Sequence, residues 1–273
     1  MISTMGAVRA GFAKLKAQSF SILVLFLYQL VWGWLFYRFI RSVVDPLLHR
    51  YPGGGSSKEA VELFLAEGQF RLLKSDLAEP YLWTLAAFAA VRLLLTPVLN
   101  AGLYYSFHRT DLNPGYRFVT GVKRFTMPFL FLHLFRTAVI LAPVLWAGPK
   151  LWALLHQDIS LTDILWTAAP YAAIWFVGAL LIHLLLMHIQ FAIVSEAGWW
   201  RGLNAFGRGL PPVLGSFLLI GAASAAAMTA MNAASLIWAG IAALIAHQVQ
   251  YLASICFRLW GLAAQHEIWS DRQ

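Results

Sequence analysis

Long apolar runs restrict what this chain can fold into more than any other feature of its sequence. A helix needs about 20 apolar residues to cross the roughly 30 Å hydrocarbon core of a bilayer. Segments of that kind occupy 19–40, 80–107, 125–148, 164–194, 210–231 and 234–263. Only 12% of the 273 residues are charged, whereas soluble domains carry about 25%. The sequence therefore predicts an all-α membrane bundle with six transmembrane helices, in which residues 1–273 form a single domain.

The distribution of basic residues predicts the orientation of these helices. Six crossings put both termini on one side of the membrane, and a tight turn near Met231–Ala234 must separate the last two. With cytoplasmic termini, ten Lys and Arg residues fall on the inner side and six on the outer side, as the positive-inside rule requires. The run Ser19–Phe36 is too long for the apolar region of a signal peptide and no A-x-A site follows it, so we expect it to remain as a transmembrane helix. These features predict a multi-pass protein of the cell membrane with cytoplasmic termini.

Residues 42–79 are the only sizeable segment predicted to lie outside the membrane. Pro52–Gly55 begins it with a flexible stretch, and Ser56 and Glu59 fit a helix-capping box. The apolar residues that follow recur at helical spacing, at Val61, Phe64, Leu65, Gly68 and Leu72. We therefore expect an extracytoplasmic loop with an amphipathic helix on the membrane surface, acting as a connector or as a lid over a cavity.

A weak internal repeat occurs on the predicted cytoplasmic side. Gly11–Lys14, Gly121–Arg124 and Gly202–Ala205 each begin a short, semi-polar segment that enters an odd-numbered crossing. This pattern predicts three helical hairpins, each introduced by an amphipathic elbow at the inner interface. Gly221–Ala227 contains only Gly, Ala and Ser, the small residues through which membrane helices approach each other closely. It predicts that the fifth crossing is central in the bundle or, alternatively, forms a dimer interface.

Arginines inside the apolar segments are the main indication of a functional site. Arg92 and Arg136 lie near the middle of the second and third crossings, Arg258 lies nearer the inner end of the sixth, and no segment has Asp or Glu in its interior. An arginine at mid-bilayer costs at least about 2.5–3.5 kcal/mol, so it needs partners or water. Three kinds of partner remain: carbonyls freed by Pro97 and Pro143, an anion such as a lipid phosphate or a carboxylate, or an acidic helix of another subunit.

Further polar residues at similar depth enlarge this candidate site. The predicted ligand-binding residues are Arg92, Arg136, His133, His183, His247 and Gln248, and Asn100 lies at a comparable depth. The alternative for each uncharged member is interhelical hydrogen bonding without any ligand.

The sequence lacks the common signatures of catalysis and metal binding. It contains no HExxH, GxSxG, Walker A or GxGxxG pattern, so we expect no enzyme activity, no catalytic residues and no cofactor. His183 and His188 are five residues apart and face different sides of a helix, which argues against a metal site. The lone Cys256 lies in an apolar run as a small hydrophobe. The formal net charge is +8, but the cations flank apolar runs, which favours anionic membrane lipids over nucleic acid as partners.

Short motifs at the predicted elbows resemble a bacterial membrane family. Ile193–Gly198, followed by Gly202–Arg208, is similar to the pattern IVxEGxGxxxALxxSxxL after the fourth helix of that family. Ala101–Tyr104 and Gly121–Phe125 are similar to its other elbow patterns. The family comprises the six-helix membrane domain related to the one fused to glycerophosphodiester phosphodiesterases, together with stand-alone relatives of unknown function. The resemblance implies the fold but no chemistry, because this sequence contains no phosphodiesterase catalytic domain.

Two classes of function are compatible with these patterns. The first is a non-enzymatic transporter, or an accessory subunit of one, that handles an anionic or amphipathic molecule. The second is a scaffold that binds other membrane proteins, or a second copy of itself, through its small-residue helix and its elbows. An open polar cavity around Arg92 and Arg136 would favour the first, and a solid bundle with an exposed groove would favour the second.

Overall fold

The described part of the chain is all-helical, as predicted. A computed structural model describes residues 2–49, 58–73, 75–155, 161–237 and 241–272, and no β-strand occurs within these ranges. The helices are α1 (Thr4–Leu15), α2 (Ser19–Leu48), α3 (Lys58–Leu73), α4 (Ser75–His108), α5 (Pro114–Leu155), α6 (Leu161–Val194), α7 (Trp199–Ile237) and α8 (Ile241–Ser270), with a 3₁₀ turn (Lys16–Gln18) between α1 and α2.

Five stretches of these helices are long and apolar enough to cross a membrane. They are Thr4–Asp45, Glu79–His108, Pro114–Pro149, Trp166–Val194 and Trp199–Ala233. The chain is therefore a multi-pass membrane protein. The sixth predicted crossing, 234–263, overlaps α8 but is not among these five, and its residues 238–240 lie outside the described ranges.

Several helices extend beyond their predicted limits. Helix α2 continues to Leu48 and α4 begins at Ser75, so both enter the segment 42–79 that the sequence predicted as a loop. Helix α7 continues to Ile237, which excludes a turn at Met231–Ala234. The predicted limits were too short because apolar character ends at the membrane surface, whereas helical hydrogen bonding does not.

Helix α3 confirms that a helix lies within the predicted outer segment. Its side chains at Leu63 and Phe70 are exposed, and Phe64 is half-buried. Ser56 and the Pro52–Gly55 stretch lie outside the described residues. The amphipathic surface position of this helix stays a prediction.

Two helix starts have clear local causes. The Ser3 side chain accepts a hydrogen bond from the Gly6 amide and caps α1. Asn113 accepts from the Gly115 amide at 3.2 Å, immediately before Pro114 begins α5. Asn is a favoured N-cap residue and Pro a favoured first helical residue, since that position needs no amide donor.

The chain divides into two compact units, the smaller of which is Leu25–Thr96. Within it, α2 and α4 pack through aromatic rings that meet edge to face. Phe88 contacts Trp32 with ring centroids 5.6 Å apart and Phe39 at 5.8 Å. Many outer side chains of this unit, including Trp34 and Trp83, are exposed, as expected for residues that face lipid.

The larger unit comprises Met1–Val24 and Pro97–Gln273. Its core lies where the last turns of α4, α6 and α8 meet the beginnings of α1, α5 and α7. Buried side chains at the centre include Phe107, Phe129, Phe191, Leu259 and Trp269. Ala7, Leu184, Val213 and Ile268 form one buried cluster, and Val8, Ile220 and Ala264 form another.

Glycines allow the closest helix contacts in this unit. A Cβ atom at Gly11 would lie 2.6 Å from the Ala264 amide nitrogen. One at Gly121 would lie 2.6 Å from the Tyr105 Cβ, and one at Gly202 would lie 2.8 Å from the His188 carbonyl oxygen. These are the three glycines that begin the repeated segments in the sequence. At each of them, one helix crosses the last turns of another at a distance that no side chain permits.

The small-residue stretch of α7 is not buried as its central position would require. Gly221, Ala222 and Ala223 are exposed, as are Ala225 and Ala226, and no atom lies within 4 Å of a Cβ built at Gly221. Helix α7 packs instead through its earlier part, where Val213, Ser216 and Ile220 are buried. Helix α7 contacts α1, α6 and α8, so its central place in the larger unit agrees with the prediction, but the small residues do not make these contacts, because they only permit close packing and do not require it.

Candidate functional site

Arg136 meets His183 across the α5–α6 contact. The Nη1 atom of Arg136 lies 3.1 Å from the Nδ1 atom of His183, and both side chains are partly buried. A guanidinium can only donate, so Nδ1 is the acceptor and the imidazole is not protonated at that nitrogen. Among the described contacts, the arginine therefore has a neutral partner, which does not compensate its positive charge.

A second arginine, Arg258, joins the same region from α8. Its Nη2 atom donates to the Asn100 side-chain oxygen of α4 at 3.0 Å. The buried Tyr104, one turn further along α4, is close enough to Arg136 and Arg258 to interact electrostatically with both. His183 also interacts with both guanidinium groups. We refer to Arg136, Arg258, His183, Asn100 and Tyr104 as the guanidinium cluster.

The guanidinium cluster offers hydrogen-bond donors that match the oxygens of an anion. The helices that carry its arginines have few acids: none in α5, and in α8 only Glu267, more than two turns beyond Arg258. Each guanidinium has five N–H donors in a planar fork that matches a phosphate or carboxylate. The cluster therefore combines two positive charges with neutral donors and acceptors; Arg136 and His183 are partly buried, whereas Arg258 is exposed.

The structure includes only some of the predicted site residues in this cluster. Arg136 and His183 belong to it, and His133 lies one turn before Arg136 on the same helix and interacts with it electrostatically. Gln248 is half-buried in α8 and makes no described contact with the cluster. His247 lies in α8, but its side chain is outside the described part of the chain.

Arg92 differs from the other predicted residues. It lies in the smaller unit, Leu25–Thr96, where its side chain is exposed, and its carbonyl accepts a hydrogen bond from Thr96 at 2.6 Å. Arg92 therefore belongs to the other unit, and its part in an anion site stays a prediction. The proline-carbonyl alternative also fails for Arg136, since its described hydrogen bond goes to His183 and not to the Val139 carbonyl.

A cleft of about 230 Å³ lies at the ends of α4 and α6, beside the beginning of α5. Its lining residues are Tyr105, His108, Arg109, Arg124, Val194, Ser195 and Glu196. Arg124 forms an ion pair with Glu196 across the cleft. Arg109 donates twice to the carboxylate of Asp111, at 2.9 Å each. This hydrogen bonding holds the pKa of Asp111 below its ordinary value, so Asp111 stays ionised.

Glu196 occupies an unusual backbone conformation at the end of α6. Its φ of 58° is the only positive value among described residues other than glycine. The Ala197 amide donates to the Ala192 carbonyl and the Glu196 amide to the Ile193 carbonyl, which is the hydrogen-bond pattern of a Schellman cap. Glycine is the usual residue at this position because a side chain there is strained.

A third polar group is partly buried between α1 and α8. Lys14 forms an ion pair with Glu267, and its Nζ atom lies 3.5 Å from Nδ1 of His266. Burial, followed by the nearby Lys14 charge and by His108, lowers the pKa of His266 to about 3. His266 is therefore neutral at physiological pH and accepts from the lysine.

Sequence patterns missed Tyr104, Arg109, Arg124 and Glu196 as site residues and gave Arg258 and Asn100 only as neighbours. Glu196 and Arg124 lie within the elbow motifs, which indicated the fold but not that their charges meet. No spacing rule could reveal those contacts, because each joins different helices. No protein-family model, curated protein or solved structure matches this chain.

Proposed function

We propose that the chain crosses the cell membrane six times as three hairpins, with both termini in the cytoplasm. Contacts between its two ends support an even number of crossings. The Ile2 amide donates to the Asp271 carboxylate at 2.7 Å, and the Trp260 indole donates to the Val8 carbonyl at 2.8 Å. The end of α8 therefore lies beside α1. Five apolar stretches alone would leave the termini on opposite sides, so this contact supports α8 as the sixth crossing.

The three glycine contacts support the hairpin arrangement. Gly11, Gly121 and Gly202 make equivalent close approaches, each at the beginning of a helix pair. The excess of basic residues on this side supports its cytoplasmic position. The motifs around Gly121 and Gly202 also support membership in the six-helix family related to the membrane domain of glycerophosphodiester phosphodiesterases.

We further propose that this protein is a non-enzymatic transporter, or an accessory subunit of one, that handles an anionic or amphipathic molecule. The observation that carries this proposal is the guanidinium cluster, in which Arg136 has the neutral His183 as its described partner. A charge at membrane depth is costly without a counter-charge. A phosphate or carboxylate that enters between α5, α6 and α8 would supply that counter-charge.

Thermal unfolding of the purified protein, with and without added anionic lipid, tests the anion site. Arg136→Gln keeps a hydrogen-bond donor for His183 but removes the charge, so it should fold normally and lose most of the stabilisation by anionic lipid. Arg201→Gln is the matched control, because Arg201 is an exposed arginine at the beginning of α7. If lipid stabilises Arg136→Gln as strongly as Arg201→Gln, the anion site is wrong.

A scaffold that binds another membrane protein is the second candidate function. The exposed stretch Gly221–Ala227 favours it, because small residues on a lipid-facing surface offer a close-packing surface to a partner helix. Replacing the exposed Ala225 with Ile should then release that partner, or the second copy, without lowering the unfolding temperature. Native mass spectrometry of protein extracted in mild detergent measures this. An assembly mass unchanged by Ala225→Ile would contradict the scaffold.

A further inference from the structure

The cleft beside Glu196 lies at the ends of apolar helical stretches, where we expect lipid headgroups. Its lining residues fall at the ends of two membrane-spanning stretches, Glu79–His108 and Trp166–Val194, and near the beginning of a third, Pro114–Pro149. Trp199 and Trp200 follow directly, with stacked rings 4.5 Å apart that are 56% and 59% exposed. Exposed tryptophans concentrate at the boundary between hydrocarbon and headgroups. We therefore expect lipid headgroups to reach this cleft.

The cleft presents charges of both signs that still have unused bonding capacity. Arg109 uses its Nε and one terminal nitrogen for Asp111, and Arg124 uses one terminal nitrogen for Glu196. Each guanidinium has five N–H donors, so both keep donors for a further acceptor. The described ion pair of Glu196 involves only Oε1, which leaves Oε2 available for a donor.

The residue type at 196 indicates that the carboxylate itself is needed there. The position has φ 58°, at which glycine would avoid the strain that a side chain causes. The helix cap does not need the Glu196 side chain, because both of its hydrogen bonds join backbone groups. Strained residues of this kind concentrate at functional sites, where the side chain has a role that local stability does not explain.

We propose that this cleft binds the headgroup of an ethanolamine phospholipid. The phosphate accepts hydrogen bonds from Arg109 and Arg124, and the ammonium group donates to Glu196. Glu196 would repel a molecule that carries only negative charge, and the two arginines would repel one that carries only positive charge. A molecule with both charges can pair its phosphate with the arginines and its ammonium group with Glu196. The volume of about 230 Å³ is below the roughly 300–1,000 Å³ of sites for drug-sized molecules, which suits a headgroup whose acyl chains remain in the bilayer.

Native mass spectrometry of the full-length protein tests this site. The protein is incubated with equal amounts of phosphatidylethanolamine and phosphatidylglycerol, and the retained lipid is counted. Wild type should retain phosphatidylethanolamine in preference. Arg124→Gln should lose both lipids, and Glu196→Gln should lose only the preference, by about tenfold or more, since a hydrogen bond to a charged group is lost. Lys123→Gln is the control, because it removes a neighbouring exposed charge outside the cleft.

Glu196→Gly separates a binding role from a structural one. Glycine relieves the strained backbone, so this variant should unfold at a higher temperature and yet lose the preference for phosphatidylethanolamine. A lower unfolding temperature would mean that the Arg124–Glu196 ion pair is structural, and would overturn the proposal.

Two further results would also overturn it: equal retention of the two lipids by wild type, or a loss in Lys123→Gln as large as that in Arg124→Gln. Soluble phosphoethanolamine, added at millimolar concentration in lipid-free detergent, distinguishes the source of the chemistry. Stabilisation by it equal to that by the lipid would overturn the membrane lipid as the ligand. These measurements are independent of the Arg136→Gln test, because Arg136 does not line the cleft.

Discussion

Individual glycines determine how closely the helices of the larger unit can pack. At Gly121 a Cβ atom would lie 2.6 Å from the Tyr105 Cβ and 2.8 Å from the Ala101 carbonyl oxygen. The backbone of α4 cannot move away from Gly121, because residues 101–107 in this part of α4 are themselves buried. Gly207, on the exposed side of α7, has no atom within 4 Å of such a Cβ.

These two positions give a matched pair of substitutions. Gly121→Ala should destabilise the protein by about 1–3 kcal/mol, the usual cost of overpacking a dense interior. Gly207→Ala should instead stabilise it by up to about 1 kcal/mol, because alanine is a better helix former in open space. Thermal unfolding in detergent measures both. Equal effects of the two alanines would show that the close contact at Gly121 does not exist.

His266 gives the stability of the protein a dependence on pH. Its pKa falls from 6.5 to about 3 on burial beside Lys14, so between these values the unfolded chain binds a proton that the folded protein does not. Stability is therefore full above about pH 6.5 and decreases as the pH falls. Lys14, Glu267 and His108 are the charged or titratable groups that face this imidazole.

Replacing His266 by Gln, which keeps an acceptor for Lys14 but cannot titrate, should reduce this dependence. Of the stability that wild type loses between about pH 7.5 and pH 5, His266 accounts for up to about 2 kcal/mol. Chemical unfolding at the two pH values measures the difference. A loss in His266→Gln as large as in wild type would contradict the buried neutral histidine.

At the scale of helices, the elbows are continuous with the crossings that they precede. Residues 114–124 belong to α5 and residues 199–209 belong to α7, whereas α1 is separated from α2 by a 3₁₀ turn at Lys16–Gln18. Pro128 and the pair Pro211–Pro212 lie at the corresponding junctions. Proline removes a helical hydrogen bond. A 3₁₀ turn thus interrupts regular helical hydrogen bonding at the first junction, and prolines interrupt it at the other two.

The contact between α2 and α4 in the smaller unit depends on aromatic rings, and a substitution that removes one ring tests it. Phe88→Ala removes edge-to-face contacts with Trp32 and Phe39, each worth about 0.5–1.5 kcal/mol. We expect a total loss of about 1–3 kcal/mol. Leu82→Ala, on the same helix but 62% exposed, should change stability much less. Unfolding monitored by tryptophan fluorescence compares them, and a larger effect at Leu82 would contradict the packing.

For the whole molecule, the number of crossings is the decisive property. Single cysteines at Glu62, Asn113 and Ser270, in a Cys256→Ser background, can be labelled in intact cells with a membrane-impermeant maleimide. Glu62 should react from outside, whereas Asn113 and Ser270 should react only after the cells are permeabilised. All three positions are exposed. Labelling of Ser270 from outside would mean that α8 does not cross the membrane.

The sequence alone determined that the chain is helical and spans a membrane. Runs of about 20 apolar residues have one stable form in lipid, because every backbone amide and carbonyl must be paired within the segment. This requirement is local, and so the predicted crossings agree with five apolar stretches of helix. The helix ends were less well predicted, since α2 continues to Leu48 and α4 begins at Ser75, in a segment where the apolar pattern gives no information.

The packing of the helices in three dimensions determines which polar groups meet. Arg136 and His183 are 47 residues apart, and Arg258 and Asn100 are 158 apart. Their pairing depends on how the helices pack. The hydrophobic pattern of the sequence does not show that packing. Lipid and protein interior are equally apolar, so the helix face that contacts lipid looks the same as the face that contacts another helix. For the same reason, the sequence could not show that Gly221–Ala227 faces outward or that Glu196 meets Arg124.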